Sequence, residues 1–113
     1  MNFEKVVDAI GGKILEPGAR GGREVKHVVA SDLMSDVLLV DEEGILLLTS
    51  LASDQVLRTA QIVGAVGVIL VNGKSLPSNM SEVARGLGMA LATTVLPKYE
   101  ACLAVSKALQ RPA

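Results

Sequence analysis

Short apolar runs alternate with stretches of helical periodicity through the second half of the chain. The runs at residues 45–48 (ILLL) and 66–71 (VGVILV) contain no polar side chain, and a third short run follows at residues 90–93 (ALAT). A strand without polar alternation is buried on both faces, as in a parallel sheet covered by helices. The pattern therefore predicts strand–helix crossover units whose neighbouring strands run parallel.

Capping residues delimit the helices between these strands. Ser53 offers an N-cap to one helix, and Gly64 is placed to end it. Asn79 and Glu82 have the spacing of a capping box ahead of the next helix. Pro97 stands where the first turn of a C-terminal helix tolerates proline. The second half thus predicts three helices, one after each strand.

The first half of the chain carries weaker patterns. A short helix is predicted over residues 3–10, with Asn2 as its cap, and strands are predicted at residues 13–15 and 25–30. Residues 33–40 fit either a short helix or a strand. Both halves together predict a three-layer α/β fold, with a mainly parallel sheet of about five short strands flanked by helices.

Composition limits the possible classes of function. The chain has 11 basic and 12 acidic residues and a net charge of −1, and its aromatic residues are Phe3, Tyr99 and no others. It therefore lacks the basic surface and the stacking platforms of nucleic-acid binders. Residues 65–71 form the longest apolar stretch and are too few to span a membrane, and residues 1–8 lack the order of a signal peptide. We expect one cytoplasmic domain over residues 1–113 that binds neither nucleic acid nor membranes.

The sequence contains one cysteine, Cys102, and one histidine, His27. This excludes an internal disulfide and a Cys/His zinc site. Cys102 falls on the apolar face of the last predicted helix, where a free cysteine behaves as a small hydrophobe. His27 lies inside a predicted strand and is expected to be packed or at the margin of the sheet. We therefore predict no catalytic residue, no metal and no cofactor.

Small polar residues follow each strand from residue 25 onward. Since the carboxyl ends of parallel strands share one edge, and ligands of open α/β sheets bind there, these residues predict one ligand site. The alternative is that they only cap turns and helices. The candidate ligand-binding residues are Asp32, Ser50, Asn72, Gly73, Lys74 and Thr94.

Two glycine-containing motifs do not match phosphate-binding loops. The sequence GKS at residues 73–75 ends like a P-loop, but the required earlier glycine is replaced by Val68, within a predicted strand. Residues 18–23 lack the G-x-G-x-x-G order of a dinucleotide site. Arg20 or Arg23 in this segment could still help to neutralise a phosphate at the predicted site, although a solvated loop is the simpler interpretation.

An enzymatic alternative depends on two acidic residues. Asp32 and Asp36 are four residues apart and would share a helix face if that segment is helical. Such a pair could hold Mg²⁺, and with Lys74 it could act on a phosphorylated substrate. Catalysis needs a positioned group with a tuned pKa, and the sequence offers no general base, nucleophile elbow or P-loop. A non-catalytic role is therefore favoured.

Several segments together resemble the DRTGG domain: residues 32–38, 47–50 with 54–60, 68–73 and 100–102. The resemblance implies a fold similar to the N-terminal domain of HPr kinase/phosphorylase. DRTGG domains occur as small free-standing proteins and within certain pyrophosphatases and phosphate acetyltransferases. In those larger proteins other domains carry the catalysis, and this domain regulates or holds subunits together.

The signature of that family is altered in this chain. Its Thr-Gly-Gly corresponds to Val71-Asn72-Gly73, so only the last glycine matches, and the acidic and basic signature residues fall near Ser53 and Asp54. The resemblance therefore transfers no catalytic residue. It implies a regulatory or interaction module that works as a homodimer or on a partner enzyme and senses a phosphate-bearing small molecule, or a purely structural dimerisation unit. Self-association is expected because half of the residues are apolar in so small a domain.

Overall fold

A computed structural model describes residues 1–19 and 22–110, so Arg20 lies outside the described residues. Within these ranges lie five short strands and five helices, which alternate except that the first strand is followed directly by the second. The strands are β1 (Lys13–Glu16), β2 (His27–Ala30), β3 (Ile45–Thr49), β4 (Gly67–Leu70) and β5 (Ala90–Thr93). The helices are α1 (Phe3–Ala9), α2 (Met34–Val37), α3 (Asp54–Ile62), α4 (Met80–Leu87) and α5 (Lys98–Gln110).

The five strands form one sheet in the order β1-β5-β4-β3-β2. The predicted α/β sheet of five strands is confirmed, and the three apolar runs are adjacent and parallel as expected. The sheet is nevertheless mixed, because β1 pairs antiparallel with β5. β1 ends at the same edge of the sheet at which β2 begins, so the segment between them needs no crossover helix. The prediction of parallel strands holds only for strands that a crossover helix connects, and β1 and β2 are not connected in this way.

Each face of the sheet is covered by helices, which confirms the three layers. Leu46 and Leu48 of β3 pack in a core with α1 and α5. Ile45 and Leu47 of the same strand pack in a second core with α2, α3 and α4. All four side chains are fully buried. The run of leucines without polar alternation thus results from burial on both faces.

Two predicted helix caps are present as hydrogen bonds. The Asn2 side chain accepts from the amide of Lys5 at 2.9 Å, at the start of α1. The Ser53 hydroxyl accepts from the amide of Gln55 at 3.2 Å, at the start of α3. Each cap satisfies one of the free N–H groups of a first helical turn, so the sequence places these two starts correctly.

The capping box predicted from Asn79 and Glu82 is wrong. The backbone of Asn79 is already helical, with φ −98° and ψ −1°, and its side chain makes no capping hydrogen bond. An N-cap side chain reaches the first turn from an extended backbone, which Asn79 lacks. Residues 33–40, which fitted either a helix or a strand, contain the single helical turn of α2 and no strand. No helix in the described ranges is long and apolar enough to cross a membrane.

Candidate functional site

The carboxyl ends of β2 to β5 meet at one edge of the sheet, which we call the carboxyl edge. The antiparallel β1 contributes its first residue to this edge, since Lys13 pairs with Thr93 at the end of β5. All six predicted ligand-binding residues follow strands at this edge. They fall into two groups: Asp32 with Ser50, and Asn72, Gly73 and Lys74 with Thr94.

The Asp32 carboxylate joins three elements at the carboxyl edge. Its Oδ1 accepts from the Thr49 hydroxyl at 2.8 Å and from the Ser50 amide at 2.7 Å. Its Oδ2 accepts from the Ser50 hydroxyl at 2.7 Å and from the Lys98 ammonium. The end of β2 is thereby bound to the end of β3 and to the first residue of α5.

These contacts determine the charge of Asp32. Partial burial raises the pKa of the carboxyl, but the hydrogen bonds from Lys98, Ser50 and Thr49 lower it by more, so the pKa lies well below its usual range. The carboxyl therefore remains ionised at all physiological pH values. Since every donor favours the charged form, protonation of Asp32 would weaken the whole cluster.

We expect Asp32→Asn to lower the free energy of unfolding by about 1 kcal/mol at pH 7, a figure reduced for solvent screening because the Asp32 side chain is 42% exposed. The folded-state pKa is depressed, so the stabilisation is fully present above the unfolded carboxyl value of about 3.9 and is lost as the pH falls towards the folded value. Urea unfolding from pH 7 to pH 3 should show a constant difference between wild type and variant down to about pH 5, and a shrinking difference below about pH 4.

Asp36→Asn is the matched control for this experiment. The Asp36 side chain is exposed and forms no hydrogen bond or ion pair within the described residues. Its variant should therefore differ little from wild type at any pH in the range. A difference for Asp32→Asn that stays constant down to pH 3 would contradict the assigned role of the carboxylate.

Asp32 and Asp36 do not share a helix face, so the condition on which the alternative Mg²⁺ site depended is not met. Helix α2 begins only at Met34, so Asp32 precedes it. Both Asp32 oxygens instead accept hydrogen bonds, including one from Lys98. Among the described residues, no group of three or more His, Cys, Asp or Glu side chains has the arrangement of a metal site.

The second group consists of the loops that follow β4 and β5. Asn72 and Gly73 both have positive φ, 66° and 59°. Their amides donate to the carbonyls of Leu96 and Thr94 at 2.8 and 3.0 Å, so the two loops are held to each other. The Thr94 side chain is buried and its hydroxyl accepts from the Leu96 amide. The shape of the edge is therefore fixed by Asn72, Gly73 and Thr94. The amides of residues 72 and 73 already donate to protein carbonyls and so do not face a ligand as free donors.

Beside these loops lies an open depression of about 280 Å³, which we call the lysine depression. Its position follows from the antiparallel strand, because β1 carries Lys13 to the end of β5, opposite Lys74. It is lined by Gly11, Lys13, Gly73, Lys74, Thr93, Thr94 and Val95.

Sequence reasoning missed two residues of this edge, Lys98 and Lys13, and misplaced one. Thr49 is among the polar residues at the strand ends but not among the predicted ligand residues, and Lys98 lies in the segment after β5, where the same rule could have included it. Lys13 could not have been found without the direction of β1. Arg23 does not serve the site, because it lies before β2 with Lys26 and therefore at the opposite edge.

His27 and Cys102 lie where the sequence predicted. His27 is exposed on β2, a margin strand of the sheet. Cys102 is a half-buried free thiol that packs against the core between α5 and the sheet.

No family model matches the sequence, and no curated protein matches it. The fold is similar to a solved structure of the CBS and DRTGG domains from the regulatory region of a Clostridium perfringens pyrophosphatase, complexed with the activator diadenosine tetraphosphate. The TM-score is 0.71 at 12% identity, and the match covers 95% of this chain and 46% of that chain. The protein therefore has a DRTGG-like fold and spans about half the length of the structure that it resembles.

Proposed function

We propose that this chain is a non-catalytic regulatory module of the cytoplasm that senses a small phosphate-bearing metabolite and acts as a homodimer or on a partner enzyme. The observation that carries the proposal is the state of Asp32. It is the one acidic group among the six predicted site residues, and four donors occupy its two oxygens. An ionised carboxylate held in this way holds elements together; it is poorly suited to take up a proton as a general base.

The structural neighbour supports a regulatory role. That protein is the regulatory region of an enzyme, and its activator carries four phosphate groups. A ligand of this class needs cationic and hydrogen-bonding groups, and the carboxyl edge of this chain provides Lys13 and Lys74. This agreement favours a ligand-sensing module over a unit that only joins subunits.

Exposed apolar side chains support association with another protein. Val95 lies in the loop before α5, and Tyr99 and Leu103 are four residues apart within α5; their side chains are 83%, 70% and 52% exposed. Side chains at this spacing lie on one face of a helix. Large apolar groups in such a row mark surfaces that a partner covers. The row begins beside the lysine depression, since Val95 also lines it.

Thermal denaturation with a panel of phosphate-bearing metabolites tests the sensing role. A ligand that binds the native state stabilises it by about 2.7 kcal/mol at a hundredfold excess over Kd, so at least one compound should raise the Tm by several degrees. The unphosphorylated counterpart of each compound is the control and should leave the Tm unchanged. Light scattering on the same samples should give a mass of about twice 11.8 kDa.

The outcomes separate the three candidate functions. A dimer that no compound stabilises would contradict sensing and favour the structural dimerisation unit. Turnover of a phosphorylated compound that depends on added Mg²⁺ and is lost in Asp32→Asn would instead favour the small metal-dependent enzyme. A monomer stabilised by a metabolite would place the module on a partner enzyme.

A further inference from the structure

Three lysines stand at the carboxyl edge, and they differ in their partners. Lys98 is neutralised by Asp32. Neither Lys13 nor Lys74 forms an ion pair with a carboxylate of the described residues. Both line the lysine depression, whose lining residues include no aspartate or glutamate. Two lysines therefore line one open depression without a counter-charge from the described part of the chain.

We propose that the lysine depression is an oxyanion site that receives the phosphate or diphosphate group of the metabolite, with Lys13 and Lys74 as its cationic ligands. The site deepens the proposed function and rests on it for the identity of the metabolite. The proposed site does not include Asp32 and Ser50, which bind each other and Lys98. It lies instead at the part of the carboxyl edge formed by β1 and the loops after β4 and β5.

Backbone groups of the depression add to its preference for anions. Within the described residues, the amide N–H groups of Lys74 and Val95 donate to no protein acceptor. The amide of Gly73 by contrast donates to the Thr94 carbonyl. Free N–H groups beside ammonium groups are the donors that phosphate oxygens accept from most strongly.

The size of the depression indicates which part of a ligand it can hold. Its volume of about 280 Å³ is below the range of about 300–1,000 Å³ for pockets that enclose drug-sized ligands. A phosphate or diphosphate group fits this space, and the remainder of the metabolite would lie outside, towards Val95. The net charge of −1 provides no wider positive surface for a polyanion, so a small molecule fits better than a nucleic acid.

The test uses the full chain, labelled with ¹⁵N and titrated with inorganic pyrophosphate in NMR spectra. We expect saturable shifts of the amide signals of Lys74 and Val95, with a Kd on the order of 1 mM. Lys13→Gln and Lys74→Gln should each weaken binding by about two- to fivefold, within the range for loss of one exposed charge contact. The affinity should also fall as salt is raised.

Lys107→Gln is the matched control. Lys107 is an exposed lysine of α5, nine residues beyond Lys98 and therefore about 14 Å further along the helix. It loses the same charge far from the depression and should leave the affinity for pyrophosphate unchanged. Equal weakening by all three variants would show a general charge effect and would overturn the proposal.

The result is distinguishable from failure of the proposed function. If a metabolite stabilises the protein while pyrophosphate shifts no signal at the depression, or binds Lys13→Gln and Lys74→Gln as tightly as wild type, the oxyanion site is wrong and sensing stands. If pyrophosphate binds and both variants weaken it while no metabolite raises the Tm, the oxyanion site stands and sensing is wrong.

Discussion

Gly67→Ala is expected to destabilise the protein by about 2–3 kcal/mol, the cost of overpacking a filled core. A Cβ atom on Gly67 would lie 2.3 Å from the Cδ1 and Cε1 atoms of the Phe3 ring. That ring is 1% exposed and packs in the core between α1, α5 and the sheet, so it can move aside only by losing core contacts. Urea unfolding monitored by circular dichroism measures the change.

The Phe3→Ala background provides the control. Phe3→Ala alone should cost about 3–5 kcal/mol, as for other buried aromatic side chains. In that background the clash is absent, and Gly67→Ala should be neutral or should stabilise by up to about 1 kcal/mol, because alanine restricts the unfolded chain more than glycine. Additive losses in the double variant would contradict the contact between Gly67 and Phe3.

Gly18→Ala should cost about 3 kcal/mol or more, because two effects add. Gly18 has a φ of +69°, which costs a side-chain-bearing residue about 1–2 kcal/mol. Its Cβ would also lie 2.4 Å from the backbone nitrogen of Ala90 in β5, an atom that the sheet holds in place. The same unfolding measurement applies, and the loss should be accompanied by weaker protection of the β1–β5 amides against hydrogen exchange.

Gly86→Ala is the matched control for this glycine. A Cβ at Gly86 would have no neighbour within 4 Å, and the residue lies inside α4 with an ordinary φ. We expect this variant to be more stable than wild type by about 0.5–1 kcal/mol, since alanine is the better helix former. If Gly18→Ala cost as little as an exposed substitution, the close approach of Gly18 to β5 would be wrong.

The sequence predicted the central sheet because its signals there are local. In β3 every residue before Thr49 is apolar, and β4 contains no polar side chain. Burial on both faces of the sheet requires this. Ser53 caps α3 through a hydrogen bond from the amide two residues ahead, and the residue type at that position is enough to indicate such a cap. The convergence of Asp32 and Ser50 also followed, since parallel strands place their ends at one edge whatever their exact register.

The parts that escaped prediction depend on distant contacts or on backbone conformation. Four residues, KILE, form β1, and they contain nothing that gives its direction or its partner. The position of Lys13 at the carboxyl edge therefore could not be predicted from the sequence. Asn79 has the residue type of a cap but a helical backbone, so the residue type alone misled.

The pairing of β1 with β5 also affects the order in which the protein can be assembled. From β2 to β5, each strand pairs with the next along the chain, so this part of the sheet can form step by step over short separations. β1 belongs to the beginning of the chain but pairs with the last strand, and loop closure makes such a contact slow. During synthesis, β1 must therefore wait unpaired until β5 emerges from the ribosome, and Lys13 reaches the lysine depression only with the last strand in place.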